Sequence, residues 1–268
     1  MNFVIFESLP VLVIYIGISL IILFSCELGF QLGKNLHSRE EKEATSSIGP
    51  MVSGLLGMLA FVLAFTFSMT AAHHSSRKQT VLDEANAIGT AYLRSDLLDT
   101  KHKHIIKKLL REYVDMRIRA VEDIRIHGIK AINIDIVLKR SVTIHNLLWT
   151  EVSTSAINAN SLNTTLMIES LNNVIEMHEK RITAGLRNRI PTSIWIAVLS
   201  ICILTMITLG TQLGFSGKRR LVAVIPLSMA FSALLVLAVD LNRPEKGLII
   251  VGQQAMINLL SKMDNKLH

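Results

Sequence analysis

Cysteine is nearly missing from this chain, with two residues in 268. Both, Cys26 and Cys202, fall in or beside long uncharged runs, so no disulfide framework is expected and they do not reveal a redox compartment. Proline is as sparse, five residues in all, which leaves long stretches with nothing to interrupt a helix. Aromatics make up 5% of the chain, and between His73 and Pro191 they amount to Tyr92, Tyr113 and Trp149. That segment holds 18 Lys and Arg against 13 Asp and Glu, mixed in sign along its length. A nucleic-acid-binding surface needs a concentrated basic face with stacking aromatics, so no nucleic-acid partner is expected; a solvated helix surface near anionic lipid accounts better for the charge. Catalytic signatures are missing as well. There is no Gly-x-Gly-x-x-Gly, no phosphate-binding Gly-x-x-x-x-Gly-Lys-Ser/Thr, no Gly-x-Ser-x-Gly and no His-Glu-x-x-His, because Ile182 stands where the second histidine after His178-Glu179 would be. His73-His74 are adjacent and His102 and His104 are two apart, so neither pair shares a helix face. No enzyme activity, cofactor or metal site is expected.

What the chain does have is apolar length. Half of its residues are hydrophobic and the mean hydropathy is +0.43, too apolar for an ordinary soluble domain. Four uncharged runs fit a bilayer core that takes about 20 residues: Leu9 to Cys26, Met51 to Ala72, Thr192 to Phe215 and Leu221 to Val239. The first lacks a lysine-rich start and a small-residue cleavage site, so it reads as a membrane helix and not as a removable leader. A polar loop, 34–50, with Gly49-Pro50 at its end, is expected between the first two. The second run continues without a break to residue 98, a helix of roughly 70 Å at about 1.5 Å per residue, so less than half of it fits in hydrocarbon.

On the membrane part of that helix, Ser53, Gly57, Ala60, Ala64, Ser68 and Ala71 recur in steps of three and four. Such a stripe of small residues lets helix backbones touch in lipid, which predicts a tight helix–helix seam. A second reading is a narrow apolar pore, with Leu55, Leu59, Val62, Phe65 and Met69 as its neck.

The middle of the chain alternates apolar and charged residues at helical spacing over Lys101–Ile126, closed by His127-Gly128, over Ile132–Ile157, and from Leu166 to Arg189. Asn158 to Thr165 reads as a turn, its Asn163 glycosylation sequon discounted in a chain without a secretory leader. Pro191 marks the junction with the third membrane helix. A short strand is conceivable only at Leu248 to Val251. The expectation is an all-α fold: four transmembrane helices with a helical extramembrane bundle continuous with helices 2 and 3. Its parts are 1–72, 73–191 (the helical domain), 192–241 and a C-terminal tail, 242–268.

Polar residues concentrate where the stalks meet: Glu84, Asn86 and Arg94 on the second helix, His178, Arg181 and Arg189 before the third, Asp240 and Arg243 after the fourth. They are expected to pair across helices. Glu84 lies about 18 Å past Ala72 and Arg181 about 15 Å before Pro191 by helical rise, so those two can meet. A single turn could bring Asp240 to Arg243.

The segments LAFTFSMTAA, DEANAIGTAYLR, Leu148-Trp149, LNNVIEMHEKRITAGLRNRIPTSIW and DLNRPEKGLIIVGQQ, spread over most of 50–260, resemble in order the bestrophin-like family of bacterial membrane proteins. The layout is similar, more distantly, to true bestrophins, which are pentameric anion channels; His73-His74-Ser75-Ser76-Arg77-Lys78 stands where those carry an aromatic-rich segment. The resemblance implies a multi-pass protein of the bacterial inner membrane, a homo-oligomer in lipid (a pentamer by analogy) and a small ion as the permeant species. The alternative is a non-conducting membrane sensor or scaffold whose helical domain binds a partner. Lys34, Arg39, Lys42, Lys218, Arg219 and Arg220 crowd the short loops, so the positive-inside rule places the helical domain outside the cytoplasm. The bestrophin layout places it inside.

Overall fold

The structure is a computed structural model, and it describes residues 9–37, 44–127, 134–158, 161–217, 219–243 and 248–265. The charges Arg39, Lys42 and Lys218 and the expected helix stop at Gly128 lie outside these residues. Among the described residues eight α-helices follow in order: α1 (Val11–His37), α2 (Ala44–Arg94), α3 (Thr100–His127), α4 (Ile134–Asn158), α5 (Leu162–Ile182), α6 (Thr192–Phe215), α7 (Leu221–Asn242) and α8 (Gln254–Asn265). A 3₁₀ turn, Ser95–Leu97, ends the long α2, and a π-helical turn, Thr183–Arg187, ends α5. The described residues contain no strand. Among the described residues, four helices are long and apolar enough to cross a membrane.

Several boundaries differ from the sequence expectation. The chain enters α2 nearly two turns earlier, at Ala44, so Pro50 sits inside the helix and not at its start. With the preceding turn already formed, the ring removes one amide donor and the helix continues. The first helix likewise runs on to His37, which shortens the polar loop. The expected turn at 158–165 is shorter too: Ser161 and Thr164 cap each other, the Thr164 N–H donating to Ser161 Oγ at 3.4 Å and the Ser161 N–H to Thr164 Oγ1 at 3.1 Å. That reciprocal cap starts α5 at Leu162. Leu248 to Val251 is not a strand, because it has no neighbouring strand to pair with; the N–H groups of Leu248 and Ile249 donate to Asp240 Oδ2 at 2.9 and 3.0 Å instead.

The chain divides into two compact units. The membrane unit takes α1, the first part of α2, α6 and α7. Ile14, Ile18, Ile22 and Cys26, each one turn apart on α1, are buried with Leu59 and Leu63 of α2, Val198, Cys202 and Met206 of α6 and Leu235 of α7. The tight seam lies between α1 and α6. Added β-carbons at Gly29 and Gly33 would collide with the Ile207 and Thr211 backbones, and at Gly210 and Gly214 with those of Cys26 and Phe30. Two Gly-x-x-x-Gly spacings facing each other let these backbones touch. The small stripe of α2 is not that seam: Ser53, Gly57, Ala60, Ala64 and Ser68 are exposed in the single chain, and a β-carbon on Gly57 would meet nothing within 4 Å.

The helical unit takes the rest of α2 with α3, α4, α5 and α8. Ile88 and Ala91 of α2, Ile106, Leu110 and Tyr113 of α3, Ile144 and Leu148 of α4, Met167 and Leu171 of α5 and Met256 of α8 form its core. This heptad-like apolar spacing on every helix is what an extramembrane bundle requires.

Candidate functional site

The helical unit buries a charge. Glu84, on the stretch of α2 well past the apolar span, is fully buried, and three helices converge on it. Arg181 of α5 donates through Nη1 to Glu84 Oε2, so the pair that helical rise allowed is present. Tyr113 of α3 donates its hydroxyl to Glu84 Oε1 at 2.6 Å. Arg117, one turn further along α3, holds its Nε 3.6 Å from the same oxygen. Since the Tyr113 proton goes to the carboxylate, the His178 Nδ1 at 2.7 Å from the phenol oxygen must carry a hydrogen and donate it. His145 of α4 closes the group, its ring centroid 4.9 Å from those of both Tyr113 and His178. Beyond Arg181, Nη2 donates to Gln253 Oε1 at 2.7 Å, tying in the segment before α8.

Electrostatics follow from this geometry. Burial pushes the Glu84 carboxyl up, but the charges of Arg117 and Arg181 and the polar groups of His178 and Tyr113 outweigh it and hold the acid far below the ordinary carboxylate range. Burial and the Glu84 charge push the Tyr113 phenol well up, so it remains a donor. Burial, then the neighbouring His178, brings His145 down to about 4, a neutral imidazole at physiological pH. The cluster holds an ionised acid against two guanidinium groups, with no nucleophile and base in line. Among the described residues no three His, Cys, Asp or Glu side chains assemble as metal ligands.

The other predicted positions divide between the units. In the helical unit, Arg94 stands apart from Glu84 and donates to the Leu166 carbonyl at 2.9 Å and to Ser170 Oγ at 2.8 Å, with Glu169 at 3.4 Å. Asn86 is exposed and lines a groove between α2 and α8. Arg189, Asp240 and Arg243 belong to the membrane unit. There Asp240 and Arg243 do not take each other as partners in the way expected: Asp240 accepts the two amides after α7, and Arg243 Nη1 donates to the Leu9 carbonyl at 3.0 Å. Arg243 is the helix C-cap in an extended conformation, and only its backbone N–H returns to Asp240, donating to the carbonyl at 3.1 Å.

At about 100° per residue the five neck candidates share one broad side of α2, part of which the chain's own core covers. Leu59 is fully buried in the unit's own core, and Leu55, Val62 and Met69 are half-buried. Only Phe65 is exposed, at 64%.

Sequence reasoning missed Tyr113, Arg117, His145 and Arg77. Tyr113 reads as one more apolar position of α3, and nothing at sequence level brings His145 to it. Arg77 is buried on α2, and it donates through Nε to the Ala184 carbonyl at 3.0 Å and through Nη2 to the Asn188 carbonyl at 3.1 Å. It thereby satisfies acceptors of the π-helical turn, whose own closing bond runs from Asn188 N–H to the Thr183 carbonyl at 2.9 Å.

Four apolar helices around one core, and a helical unit drawn together by a buried acid and its donors, define an all-helical integral membrane protein. A sequence model of the bestrophin-like domain matches residues 17–256, and the chain belongs to the bestrophin-like family. Solved structures agree on the fold. The bacterial bestrophin homologue of Klebsiella pneumoniae, at 16% identity, aligns over 96% of this chain and 99% of its own with a TM-score of 0.59. A single-site variant of it aligns at 15% identity over 96% and 98%, with a TM-score of 0.58. No functionally curated protein matches the sequence.

Proposed function

We propose that this protein is a homo-oligomeric channel of the bacterial inner membrane, with one copy of α2 from each subunit facing the axis of a pentamer and a small ion passing along it. The observation that carries this is the face α2 turns away from its own chain. At about 100° per residue, buried Val52, Leu59, Leu63, Thr66 and Thr70 form one stripe. Almost opposite lie Met51, Gly54, Met58, Phe61, Phe65, Ser68 and Ala72, alternating in steps of three and four, and all are exposed in the single chain. Phe61 and Phe65 are 72% and 64% exposed. The small stripe of Ser53, Gly57, Ala60 and Ala64 runs beside this face. Small residues on the flank suit close approach of a neighbouring copy, while bulky apolar ones on the front suit a constriction that gates by dewetting. The neck reading therefore keeps Phe65 and replaces the inward-facing Leu59 and Val62 by Phe61 and Met58.

Recording from purified protein in planar bilayers tests this. Stepwise currents, enlarged by Phe65→Ala, are expected. Silence from an intact oligomer supports the non-conducting scaffold instead.

A further inference from the structure

We infer that Asp83 makes the conduction path select monovalent cations over anions. This rests on the reading above that α2 faces the axis, and it names the class of ion that passes. α2 is one helix from Ala44 to Arg94, so the outward face that carries Phe65 continues past the apolar span. Asp83 lies eighteen residues beyond Phe65, which is about five whole turns at about 3.6 residues per turn. It therefore has the azimuth of Phe65, about 27 Å further along the helix. Burial marks the same face independently. Ser76, Gln79, Asn86 and Thr90, all within about 60° of the Phe65 direction, are exposed. Arg77, Val81, Glu84, Ala85, Ile88 and Ala91, on the side turned to the bundle, are buried.

The charge on this face is of one sign. Between Met51 and Arg94 only two ionisable residues of α2 lie within about 60° of the Phe65 direction, Asp83 and Arg94. Arg94 is turned to α5, where it donates to the Leu166 carbonyl and Ser170 and pairs with Glu169. Lys78 is exposed but lies about 140° round the helix. Asp83 is half-buried, and Gln79 donates its Nε2 to Asp83 Oδ1 at 2.8 Å. Among the described residues no basic side chain pairs with Asp83, so the amide holds the carboxylate in place and leaves its charge uncompensated. From α8, Lys262 lines the groove beside this face. Leu259 lies against Gly89, and the Asp264 charge acts on Tyr92, so Lys262 stands further along α2 than Asp83, with an acid two residues away.

Five copies of α2 around an axis bring five such carboxylates into one ring. Rings of Asp or Glu favour cations, and a cleft lined by one sign of charge raises the local concentration of the opposite ion by about tenfold or more. The neighbouring hydroxyl and amide groups of Ser76, Gln79, Asn86 and Thr90 can face an ion of either sign. The sign of selectivity on this stretch thus comes from Asp83.

Reversal potentials in planar bilayers under a tenfold KCl gradient test this. Wild type should reverse near the potassium equilibrium potential. Asp83→Asn keeps an acceptor for Gln79 and should lower the ratio of potassium to chloride permeability at least threefold, while Asp83→Lys should turn the preference to chloride. Lys78→Gln should change neither. A single cysteine at this position, Asp83→Cys, adds a chemical check, since Cys26 and Cys202 are buried. Its reaction with a sulfonated methanethiosulfonate should restore potassium preference, and reaction with a trimethylammonium one should reverse it. Silence from an assembled protein would overturn the channel reading and this one with it. Steady currents with an unchanged permeability ratio in Asp83→Asn, or with the same ratio after either reagent, would overturn the Asp83 assignment alone.

Discussion

Replacing Glu84 by glutamine should cost more than replacing Arg181 by the same residue, although the two are partners. In the native cluster one buried carboxylate faces two buried guanidinium groups. Glu84→Gln leaves Arg117 and Arg181 buried together with no anion between them, and turns an acceptor of three donors into an amide that must present N–H to one of them. Stranding buried charge in this way costs about 3–5 kcal/mol. Arg181→Gln leaves the Arg117–Glu84 pair and the Tyr113 hydrogen bond in place; it loses the charge-assisted hydrogen bond to Glu84, about 1.5–3 kcal/mol, and the one to Gln253, a half-buried side chain that can turn to water. The double variant keeps Arg117 without its acid but removes the Arg181 charge, so it should lose about 1–3 kcal/mol less than the two single losses added. Denaturant unfolding in detergent, followed by circular dichroism for wild type and the three variants, measures all four values. Additive losses, or a larger loss for Arg181→Gln than for Glu84→Gln, would refute the pairing logic.

Acidification should act through His145. A base whose pKa falls from 6.5 unfolded to about 4 folded binds its proton first in the unfolded chain, so stability drops as pH falls from 6.5 towards 4, by roughly 3 kcal/mol in total. Glu84, held low, adds its own loss only below about pH 4.5. Comparing wild type with His145→Phe between pH 6.5 and 4.5 isolates the imidazole: the variant should show a flatter pH dependence. At the α1–α6 seam, Gly210→Leu should prevent folding or cost more than about 3 kcal/mol, since the collision is with backbone. Gly57→Leu should leave the unfolding of a protomer unchanged and disrupt assembly, which size-exclusion chromatography with light scattering would register. For orientation, the short-loop charges predict the helical domain outside the cytoplasm, against the bestrophin layout. Ile157→Cys, at a position 85% exposed, should react with an impermeant maleimide in intact cells; reaction only after lysis reverses the assignment.

The fold was legible because its signals are long. Four apolar runs of membrane length and three amphipathic stretches leave little choice of architecture, and the errors are confined to helix ends, up to about two turns where the helix continues through Pro50 and about one where a mutual Ser161–Thr164 cap moved the start. Packing partners were harder to read. The α2 small stripe is the longer pattern, yet the buried seam uses the shorter GFQLG and GTQLG spacings of α1 and α6, because a stripe says that something packs closely and not whether the partner is in the same chain. In the polar cluster, Glu84 and Arg181 were accessible through helical rise alone. Tyr113, Arg117 and His145 were not, since their meeting depends on how α3 and α4 rotate about their axes, and on an amphipathic helix a buried tyrosine looks like any apolar residue. Arg77 was hidden in an exposed-looking His-His-Ser-Ser-Arg-Lys run; only the π-helical turn shows why an arginine is buried there.

Cross-linking in native membranes addresses the proposed assembly most directly. Single cysteines at Phe65, on the outward face of α2, and at Ile16, 49% exposed on α1, are compared in a background where Cys26 and Cys202 are buried. With α2 around a common axis, Phe65→Cys should give subunit-linked dimers with a short bismaleimide and Ile16→Cys should give none. Dimers at Ile16 and none at Phe65 would contradict an axis lined by α2.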